Sequence, residues 1–496
     1  MKRLCYTLSS LALAAASPAM ADTSATELWA EWQAQAEISG QAVSAEVTET
    51  DTGLTLSNFS TVFEEDGFST TGSIDEIQLT ENADGTVTVT YSDLYTIVFT
   101  FQVDPGNPPA NIELLLRHEN LDMRISGDAG ARTYAYTADE ISITQGRLWG
   151  GGSEPPEIEV DMVMSDIDTV YNVTGTDPET MRFTSEGAVG GLTMVMEVAA
   201  PPGEEGLFKA GLVIGPMQGT SEGTLLSLAS MNQTQGTLPE GFDLAGTTTY
   251  GPLGLEMQFE MPGEAFAALY SNDGGSIGAS ISGEAISYDI AASGARATLT
   301  GSDIPVPVEV SVGSSELALL MPLAAGDTPQ DMGLRLSVQD LMVGESLLGM
   351  VDPAQALPRD PASLLLDATG QVQLFMDLMN INPEELTGPP GELRAITVNE
   401  LNLSVGGAEL SGTADLSFAP NQIIPMPVGS ADLELSGGNA LMDALVAGGL
   451  VPAAQSGMIM GMTNVFARPG AGPDTLETTV EFGADGSITA NGVPLQ

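Results

Sequence analysis

Cysteine, histidine and lysine are almost missing from this chain of 496 residues. The one cysteine, Cys5, lies in an N-terminal segment that we expect to be removed, which excludes disulfides, thiolate nucleophiles and cysteine-based metal sites from the mature chain. We interpret the one histidine, His118, as a surface residue near a strand end, with a Ser-His-Asp triad as the alternative. Lys209, the only lysine after residue 2, is interpreted as a lone surface charge, with Schiff-base chemistry as the alternative.

Positive charge is equally scarce. The chain has 13 Lys and Arg residues against 67 Asp and Glu residues, which gives a net charge of −54. Electrostatic repulsion excludes nucleic acid as a partner and opposes binding to an anionic membrane surface. The acidic residues are scattered, and the chain has neither an EF-hand loop nor a Gly-Asp repeat array. We interpret them as a solvated acidic surface, with a Ca²⁺ scaffold as the alternative.

Aromatic residues and catalytic motifs are also few. Phe, Trp and Tyr make up 5% of the chain, whereas sugar-binding clefts are usually lined by aromatic rings. A carboxylate pair for glycoside hydrolysis is an alternative that the 67 acidic residues leave open, but there is no G-x-S-x-G elbow. Because no residue set supplies a nucleophile, a base and an oxyanion donor, the sequence predicts a protein that is not an enzyme, with no catalytic residues, cofactor or metal.

The N-terminus has the pattern of a signal peptide. Two basic residues precede an apolar run over residues 4–16, and Ala19 and Ala21 form the small-x-small pattern that signal peptidase requires. The run is shorter than the ~20 apolar residues of a membrane-spanning helix. We therefore predict that residues 1–21 are removed, that the mature chain begins at Asp22 without a transmembrane segment, and that the protein is periplasmic.

Alternating apolar residues predict that most of the chain is β-sheet. A two-residue period appears in the segments 87–91, 97–103, 306–312 and 372–378. Asp-Gly and Gly-Gly pairs suit tight turns, and 57 glycines with 30 prolines leave little room for long helices. We predict a mainly β fold, with large curved antiparallel sheets and a few short helices.

Two short helices are predicted outside the C-terminal region. Ser24 and Glu27 form a capping-box pattern ahead of the first. The second precedes Pro353, which forbids the helix from continuing through the residue before it. Pro358 and Pro361 then keep the chain extended, so residues 351–361 are predicted to be a stiff helix-to-strand crossover, in which Arg359 has a surface role.

A C-terminal helix pair is predicted over residues 439–449, with Asn439 as N-cap, and 452–467. Residues 441–466 carry a single charge, so membrane insertion is the alternative to packing on the sheet, but glycines and a proline divide the run into pieces too short to span. The pair is predicted to bury five apolar side chains against the concave side of the sheet and either to close one end of an apolar groove or to finish the core. These candidate groove residues are Leu441, Leu445, Met458, Met462 and Val465.

Two segments carry a family resemblance. The stretch "LGMVDPAQALPRDPASLLLDATGQVQLFMDL" and the tail "VEFGADGSITANGVPL", together with the signal peptide, resemble secreted bacterial proteins grouped as domain of unknown function 2125. That family has no assigned activity, so the resemblance implies a compartment and an architecture but no catalytic residues. The order of "GSADLELSGG", a helix pair and a hairpin is more distantly similar to AsmA-like envelope proteins, whose curved sheets carry an apolar groove implicated in lipid movement. This chain differs from them in lacking a long repeating array and a retained anchor.

We place one division near residue 235, which gives an N-terminal β-rich part over 22–235 and a C-terminal β-rich part with the helix pair over 236–496. The favoured function is a non-enzymatic envelope protein that binds lipid or another hydrophobic ligand in a curved-sheet groove. The AsmA-like tail and 23 methionines, which adapt to irregular apolar shapes, support it. The alternative is an exported acidic structural or adhesive β protein without a small-molecule ligand.

Overall fold

The computed structural model describes residues 23–38, 40–65, 67–102, 106–151, 157–176, 181–200, 205–224, 241–380, 388–420 and 425–495. The predicted signal peptide and the predicted division at residue 235 lie outside these residues. The described helices are α1 (Ala25–Ile38), α2 (Glu345–Val351), α3 (Gly438–Ala447) and α4 (Ala453–Phe466), with a 3-10 turn at Leu378–Asn380.

All other regular elements are strands, so the prediction of a mainly β fold is confirmed. They are β1 (Ala42–Thr50), β2 (Gly53–Glu65), β3 (Phe68–Glu81), β4 (Val87–Tyr91), β5 (Leu94–Phe101), β6 (Ala110–Glu119), β7 (Asp122–Asp128), β8 (Ala131–Gly150), β9 (Glu157–Thr174), β10 (Arg182–Val189), β11 (Gly191–Ala199), β12 (Leu207–Ile214), β13 (Met217–Thr224), β14 (Asp243–Tyr250), β15 (Leu253–Met261), β16 (Glu264–Asn272), β17 (Gly274–Ser282), β18 (Ala285–Gly301), β19 (Ile304–Pro322), β20 (Gln330–Val343), β21 (Ala362–Leu374), β22 (Gly391–Val405), β23 (Ala408–Phe418), β24 (Pro427–Ser436), β25 (Arg468–Pro469), β26 (Thr475–Phe482), β27 (Ile488–Ala490) and β28 (Val493–Pro494).

The 28 strands form one continuous antiparallel sheet. Between the long strands β9 and β18 the sheet consists of pairs of short strands placed end to end. One half of β9 pairs with β10 and the other half with β11, and this two-row arrangement continues until β16 and β17 both pair with β18. From β18 to β24 each strand pairs with the next in the chain. The sheet is also continuous around residue 235, because β13 pairs with β14 and β12 with β15.

Left-handed residues inside the long strands shift the apolar alternation by one position. Asp166, in the middle of β9, has φ 50°, a conformation that Asp and Asn tolerate better than other non-glycine residues. Before it the less exposed positions are even-numbered, from Ile158 to Met164, and after it they are odd-numbered, from Ile167 to Val173. A bulge-like residue of this kind bends the strand and re-aims the side chains that follow. One face of the sheet therefore stays apolar along the whole strand.

The same device recurs in other long strands, at Asn58 in β2 and Asp340 in β20. The neighbouring strand must accommodate the kink. Gly190, beside Asp166, has no room for a side chain, because a Cβ there would lie 2.6 Å from an Asp166 carboxylate oxygen.

The best-packed core lies under α1 at the N-terminal end of the sheet. Ala25 and Leu28 of α1 are fully buried, and Trp29 is 7% exposed. They pack on apolar side chains of the four strands β2, β3, β4 and β7, namely Leu54, Leu56, Ile74, Ile77, Leu79, Val87, Val89 and Ile125. More than half of the buried apolar side chains of the described residues belong to this cluster. The rest of the described sheet has no comparable core.

Hydrogen bonds and an ion pair fix α1 on the sheet. The Ser24 hydroxyl accepts a hydrogen bond from the Glu27 backbone N–H at 3.2 Å, which confirms the predicted N-cap. Arg132 of β8 is 4% exposed and donates to both carboxylate oxygens of Glu31, at 2.7 and 3.1 Å, and to the Thr23 hydroxyl at 3.0 Å. A buried guanidinium of this kind is stable only with several partners, which tie β8 to α1.

Two details of the sequence prediction are wrong. The N-cap of α3 is Gly437 rather than Asn439, and Asp474, 35 residues later in the chain, accepts hydrogen bonds from the backbone N–H groups of Asn439 and Ala440 at 3.2 and 3.1 Å. A capping group so distant in sequence leaves no local signal. The strand predicted over 372–378 ends at Leu374, where β21 gives way to a bend and a 3-10 turn.

Candidate functional site: the apolar face and its terminal cavity

One face of the sheet carries an unbroken cross-strand row of apolar side chains. Residues directly opposite each other in an antiparallel pair project to the same face. The strand registers connect, in order, Phe59, Ile74, Tyr95, Leu116, Ile143, Met162, Met194, Leu212, Leu255, Tyr270, Ala297, Val310 and Val343. We call this set the apolar row. With strands about 4.8 Å apart, it is roughly 58 Å long.

Apolar side chains also flank the row on the same face. A second cross-strand row lies beside the apolar row, offset from it by two residues on each strand. It contains Val160, Met196, Ala210, Met257, Ala268, Leu299 and Val308. Most of these side chains are half-buried, and Met257 is 36% exposed. The face is therefore a band of Leu, Ile, Val, Met and aromatic side chains rather than a single line.

The opposite face of the same strands carries their charged side chains. Glu159 of β9, Glu197 of β11, Lys209 of β12 and Gln258 of β15 are opposite one another in register. Lys209 Nζ lies 2.7 Å from a Glu197 carboxylate oxygen, and this bond is the main cause that raises the pKa of Lys209. The surface-charge interpretation of Lys209 fits this position. The charges of these strands thus lie on the face opposite the apolar row, and that face also carries the exposed side chains of Val195, Val213 and Leu269.

The two ends of the apolar row differ. At the N-terminal end Phe59, Ile74 and Tyr95 belong to the packed core under α1. At the other end Ala297, Val310 and Val343 line a cavity of about 800 Å³ between the sheet, α2 and α3. A cavity of this volume is within the range of small-molecule sites. The band is thus closed by a helix at one end and opens into a cavity at the other.

Most of the cavity wall is apolar. Leu341, Leu348, Leu357, Leu441 and Leu445 line it, with Arg296, Arg359, Glu309, Glu345 and Asp360 as its charged members. Two of the five predicted groove residues, Leu441 and Leu445, are therefore in the cavity. Gly406 leaves space for one of them, since a Cβ there would lie 2.8 Å from a Leu441 methyl carbon.

The other three predicted groove residues lie on α4 and do not line this cavity. Met458 is 62% exposed, and Met462 and Val465 are both 56% exposed. The expectation that all five side chains are buried is therefore wrong for these three. The prediction treated the helix pair as one packing unit, whereas α3 contacts β23 and α4 contacts α3.

A buried carboxylate organises the crossover beside the cavity. The helix-to-strand connection between α2 and β21 runs over residues 352–361, one residue shorter than predicted, and Asp352, the C-cap of α2, is fully buried. It accepts hydrogen bonds from the backbone N–H groups of Leu357 at 2.9 Å and Ala356 at 3.0 Å, and from Arg359 Nη1 at 3.0 Å. Arg359 Nε also donates to Glu345 at 3.3 Å. Arg359 is thus a structural partner of Asp352 and not only a surface residue.

These bonds make the stability of the crossover dependent on pH. The backbone N–H groups of Leu357 and Ala356, followed by Arg359, hold the pKa of Asp352 below its ordinary value of 3.8. A lowered folded-state pKa means that the stabilisation is complete above pH 3.8 and is lost as the pH falls through the lower folded-state value. We expect D352N to melt at a lower temperature than wild type near neutral pH, with the difference shrinking below pH 3.8.

The exposed neighbour Asp360 provides the matched control for this experiment. D360N should melt with wild type at every pH. If the difference in melting temperature between D352N and wild type stays constant down to strongly acidic pH, the charge of Asp352 does not stabilise the crossover.

Other candidate chemistry is sparse among the described residues. No three His, Cys, Asp or Glu side chains in that part of the chain are grouped closely enough to hold a metal ion. His118 is half-buried at the end of β6, and its Nε2 lies 3.2 Å from the Ser92 carbonyl oxygen. Among the helices that the structure describes, none combines the length and apolarity needed to span a membrane.

Comparison with known proteins gives one family match. No curated protein matches the chain. One solved structure, the ferric citrate transporter FecA in its unliganded form, aligns with 92% of this chain and 76% of the FecA chain at 10% identity. Its TM-score is 0.17, which is too low to indicate a shared fold. The match is to a family described as "Uncharacterized protein conserved in bacteria (DUF2125)", over residues 250–496. The match begins at the last residue of β14, so the C-terminal part of the chain is similar to the DUF2125 family.

Proposed function

We propose that this protein is a non-enzymatic envelope protein that holds the hydrocarbon chains of lipid, or of another hydrophobic ligand, along the apolar row and in its terminal cavity. The observation that carries the proposal is the row itself, in which thirteen successive strand positions place apolar or aromatic side chains on one face. If the apolar row contributed only to the stability of the fold, a second layer of the protein would cover it.

The middle of the row has the character of an open surface. Between β8 and β18 the described chain consists of strands of this one sheet and their turns. Several apolar side chains on the same face are exposed there, with Phe259 at 37% and Phe266 at 38%. A contiguous exposed apolar patch of this extent typically marks a site for a lipid, a ligand or a partner. Hydrocarbon chains match it, because it offers a long apolar band with no charged residue in the apolar row.

The size of the band also suits lipid. One leaflet of a bilayer has hydrocarbon about 15 Å thick, half of the ~30 Å core. The apolar row, at roughly 58 Å, is several times longer. The proposal also includes two expectations from the sequence, namely the periplasmic location and the AsmA-like resemblance of the C-terminal part. The location is tested by N-terminal sequencing of the protein from a periplasmic extract, which should find Asp22 as the first residue.

The alternative function is an exported acidic structural or adhesive protein. The polar face favours it, because Glu159, Glu197 and Glu256 cover that side of neighbouring strands and 67 acidic residues keep the chain hydrated. Such a protein has no requirement for an open apolar face. The two functions therefore differ in whether the purified protein carries lipid.

Native mass spectrometry tests the proposal. The full chain, exported and purified without detergent, should show reproducible added masses, and solvent extraction of the same sample should release lipid in a fixed ratio to protein. The control is a periplasmic protein of similar size prepared in the same way. A clean mass for the bare chain in repeated preparations would favour the structural alternative.

A further inference from the structure

Helix α4 presents its apolar stripe outward. The side chains that face the protein are Ser456, which is 6% exposed, and the half-buried Met460, Thr463 and Phe466, spaced by four, three and three residues. The outward side chains are Met458, Ile459, Met462 and Val465, exposed by 62, 42, 56 and 56%. A surface helix of a globular protein normally buries its apolar stripe and exposes its polar one. On α4 four of the large apolar side chains point outward instead, which inverts the usual orientation.

Helix α1 of the same chain shows the normal orientation. Its Ala25, Leu28 and Trp29 are buried, while Glu27, Gln35 and Glu37 are exposed or half-exposed. The inverted orientation of α4 is therefore a local property. No described part of the chain covers the outward side of α4, which leaves it open to an apolar partner.

The surroundings of α4 favour a neutral apolar partner. The helix Ala453–Phe466 has no charged residue, in a chain with 67 acidic side chains. A Cβ placed on Gly457 or Gly461 would meet nothing within 4 Å, so the outward surface is open between the large side chains. Leu450, in the turn before α4, is also exposed, at 38%. The result is an uncharged apolar patch of Leu450, Met458, Ile459, Met462 and Val465, which we call the α4 patch.

The α4 patch is joined to the cavity by a short connection. Leu441 and Leu445 of α3 line the cavity, and the backbone N–H of Leu450 donates to the Leu445 carbonyl oxygen at 2.9 Å. Pro452 then begins α4. A molecule that leaves a surface contacted by α4 therefore has residues of the cavity wall within one helix length.

We propose that the α4 patch docks into the acyl region of a lipid membrane surface, where it lets lipid enter the cavity; this rests on the proposed function of the cavity and the apolar row. A helix with large apolar side chains on its outer face binds in the plane of the interface, with affinity set by the apolar area it buries. The net charge of −54 makes a zwitterionic surface the partner, because anionic lipid repels the acidic chain.

The experiment is flotation of the full-length protein with phosphatidylcholine vesicles. Wild type should float with the vesicles at low and at high salt. Replacing about a third of the lipid with phosphatidylglycerol should weaken flotation at low salt, and raising the salt to about 0.5 M should restore it, since screening shortens the repulsion. A protein attached by its charges shows the opposite salt dependence.

The test variant is the double substitution M458Q and M462Q, and the control is V195Q with V213Q. All four side chains are at least half exposed, and Val195 and Val213 lie on strands β11 and β12. The α4 variant should lose vesicle affinity by about tenfold or more per methionine, as expected for removing a buried apolar side chain. The control should float like wild type. Circular dichroism verifies that both variants are folded.

Two results overturn the docking proposal. One is a wild type that does not float with phosphatidylcholine vesicles, including a protein that associates with its own copies instead. The other is an α4 variant that floats as well as wild type. Lipid supplied in detergent micelles separates this proposal from the function of the cavity. If wild type takes up lipid from micelles but does not float, docking fails and the lipid-binding function stands. If it takes up none from either source, both fail.

Discussion

Replacing Met196 with Glu should abolish lipid binding while the protein stays folded. Met196 of β11 lies on the apolar face, opposite Val160 of β9 and Ala210 of β12, and it is half-buried. A carboxylate there costs little in the free protein, because water reaches it. Under a bound hydrocarbon chain it loses that water without gaining a partner, which costs several kcal/mol. We therefore expect lipid in the extract to fall by about a hundredfold or more.

The neighbouring residue gives the matched control. Val195 is 51% exposed, and alternation along the strand places it on the polar face. V195E introduces the same charge one residue away, so it should retain wild-type lipid content. If M196E and V195E carry equal amounts of lipid, the apolar face is not the ligand surface.

The second large effect concerns stability. Leu28 of α1 is fully buried in the core under the helix. We expect L28A to lower the free energy of unfolding by about 2–5 kcal/mol, the range for removing a buried leucine side chain and leaving a cavity. Urea denaturation followed by the fluorescence of Trp29 and Trp32, which lie on α1, measures it.

V465A serves as the comparison for L28A. Val465 is an aliphatic residue on α4 with 56% of its surface exposed, so truncation should change the stability by no more than about 0.5 kcal/mol. Equal losses for the two variants would contradict the assignment of the well-packed core to the α1 end of the sheet.

The strands and turns were predictable because their signals are local. Val87 and Val89 alternate with threonines and are fully buried, and the Gly85, Gly407 and Gly486 turns have positive φ. The crossover after α2 was equally clear from its prolines. Its organiser, Asp352, was not singled out, although an Asp before Pro at a helix end is a frequent turn-forming residue that bonds to backbone N–H groups ahead of it.

The apolar row was not predictable, because it depends on registers between strands that are distant in sequence. Met194 is opposite Leu212, and Leu212 is opposite Leu255 only because β12 pairs with β15 rather than with β13. The apolar residues change from even to odd positions at Asp166, and this change is visible in the sequence. However, two separate strands that meet at Asp166 would show the same pattern. The register decides between them.

The orientation of α4 was missed for a different reason. Its methionines have helical spacing, which indicates an apolar stripe but not the direction in which the stripe points. Packing on the sheet was the natural expectation for Met458 and Met462. Only the positions of Ser456 and Thr463 on the inner side show that the stripe faces away from the protein.

The DUF2125 match covers only part of the apolar row. Of its thirteen side chains, those from Leu255 to Val343 lie within residues 250–496, and those from Phe59 to Leu212 precede them. The cavity and the α4 patch lie entirely within the matched region. Under the proposed function, the N-terminal half lengthens a ligand surface that begins in the matched region.

Photocrosslinking of lipid to the protein tests the central claim most directly. A phospholipid with a diazirine in its acyl chain is loaded onto the full chain, activated with light, and its attachment sites are mapped by peptide sequencing. The account predicts labels at alternate residues, such as Met194 and Met196 of β11 and Leu255 and Met257 of β15, with Val195 and Glu256 unlabelled. Labels on both sets of residues, or on neither, would contradict it.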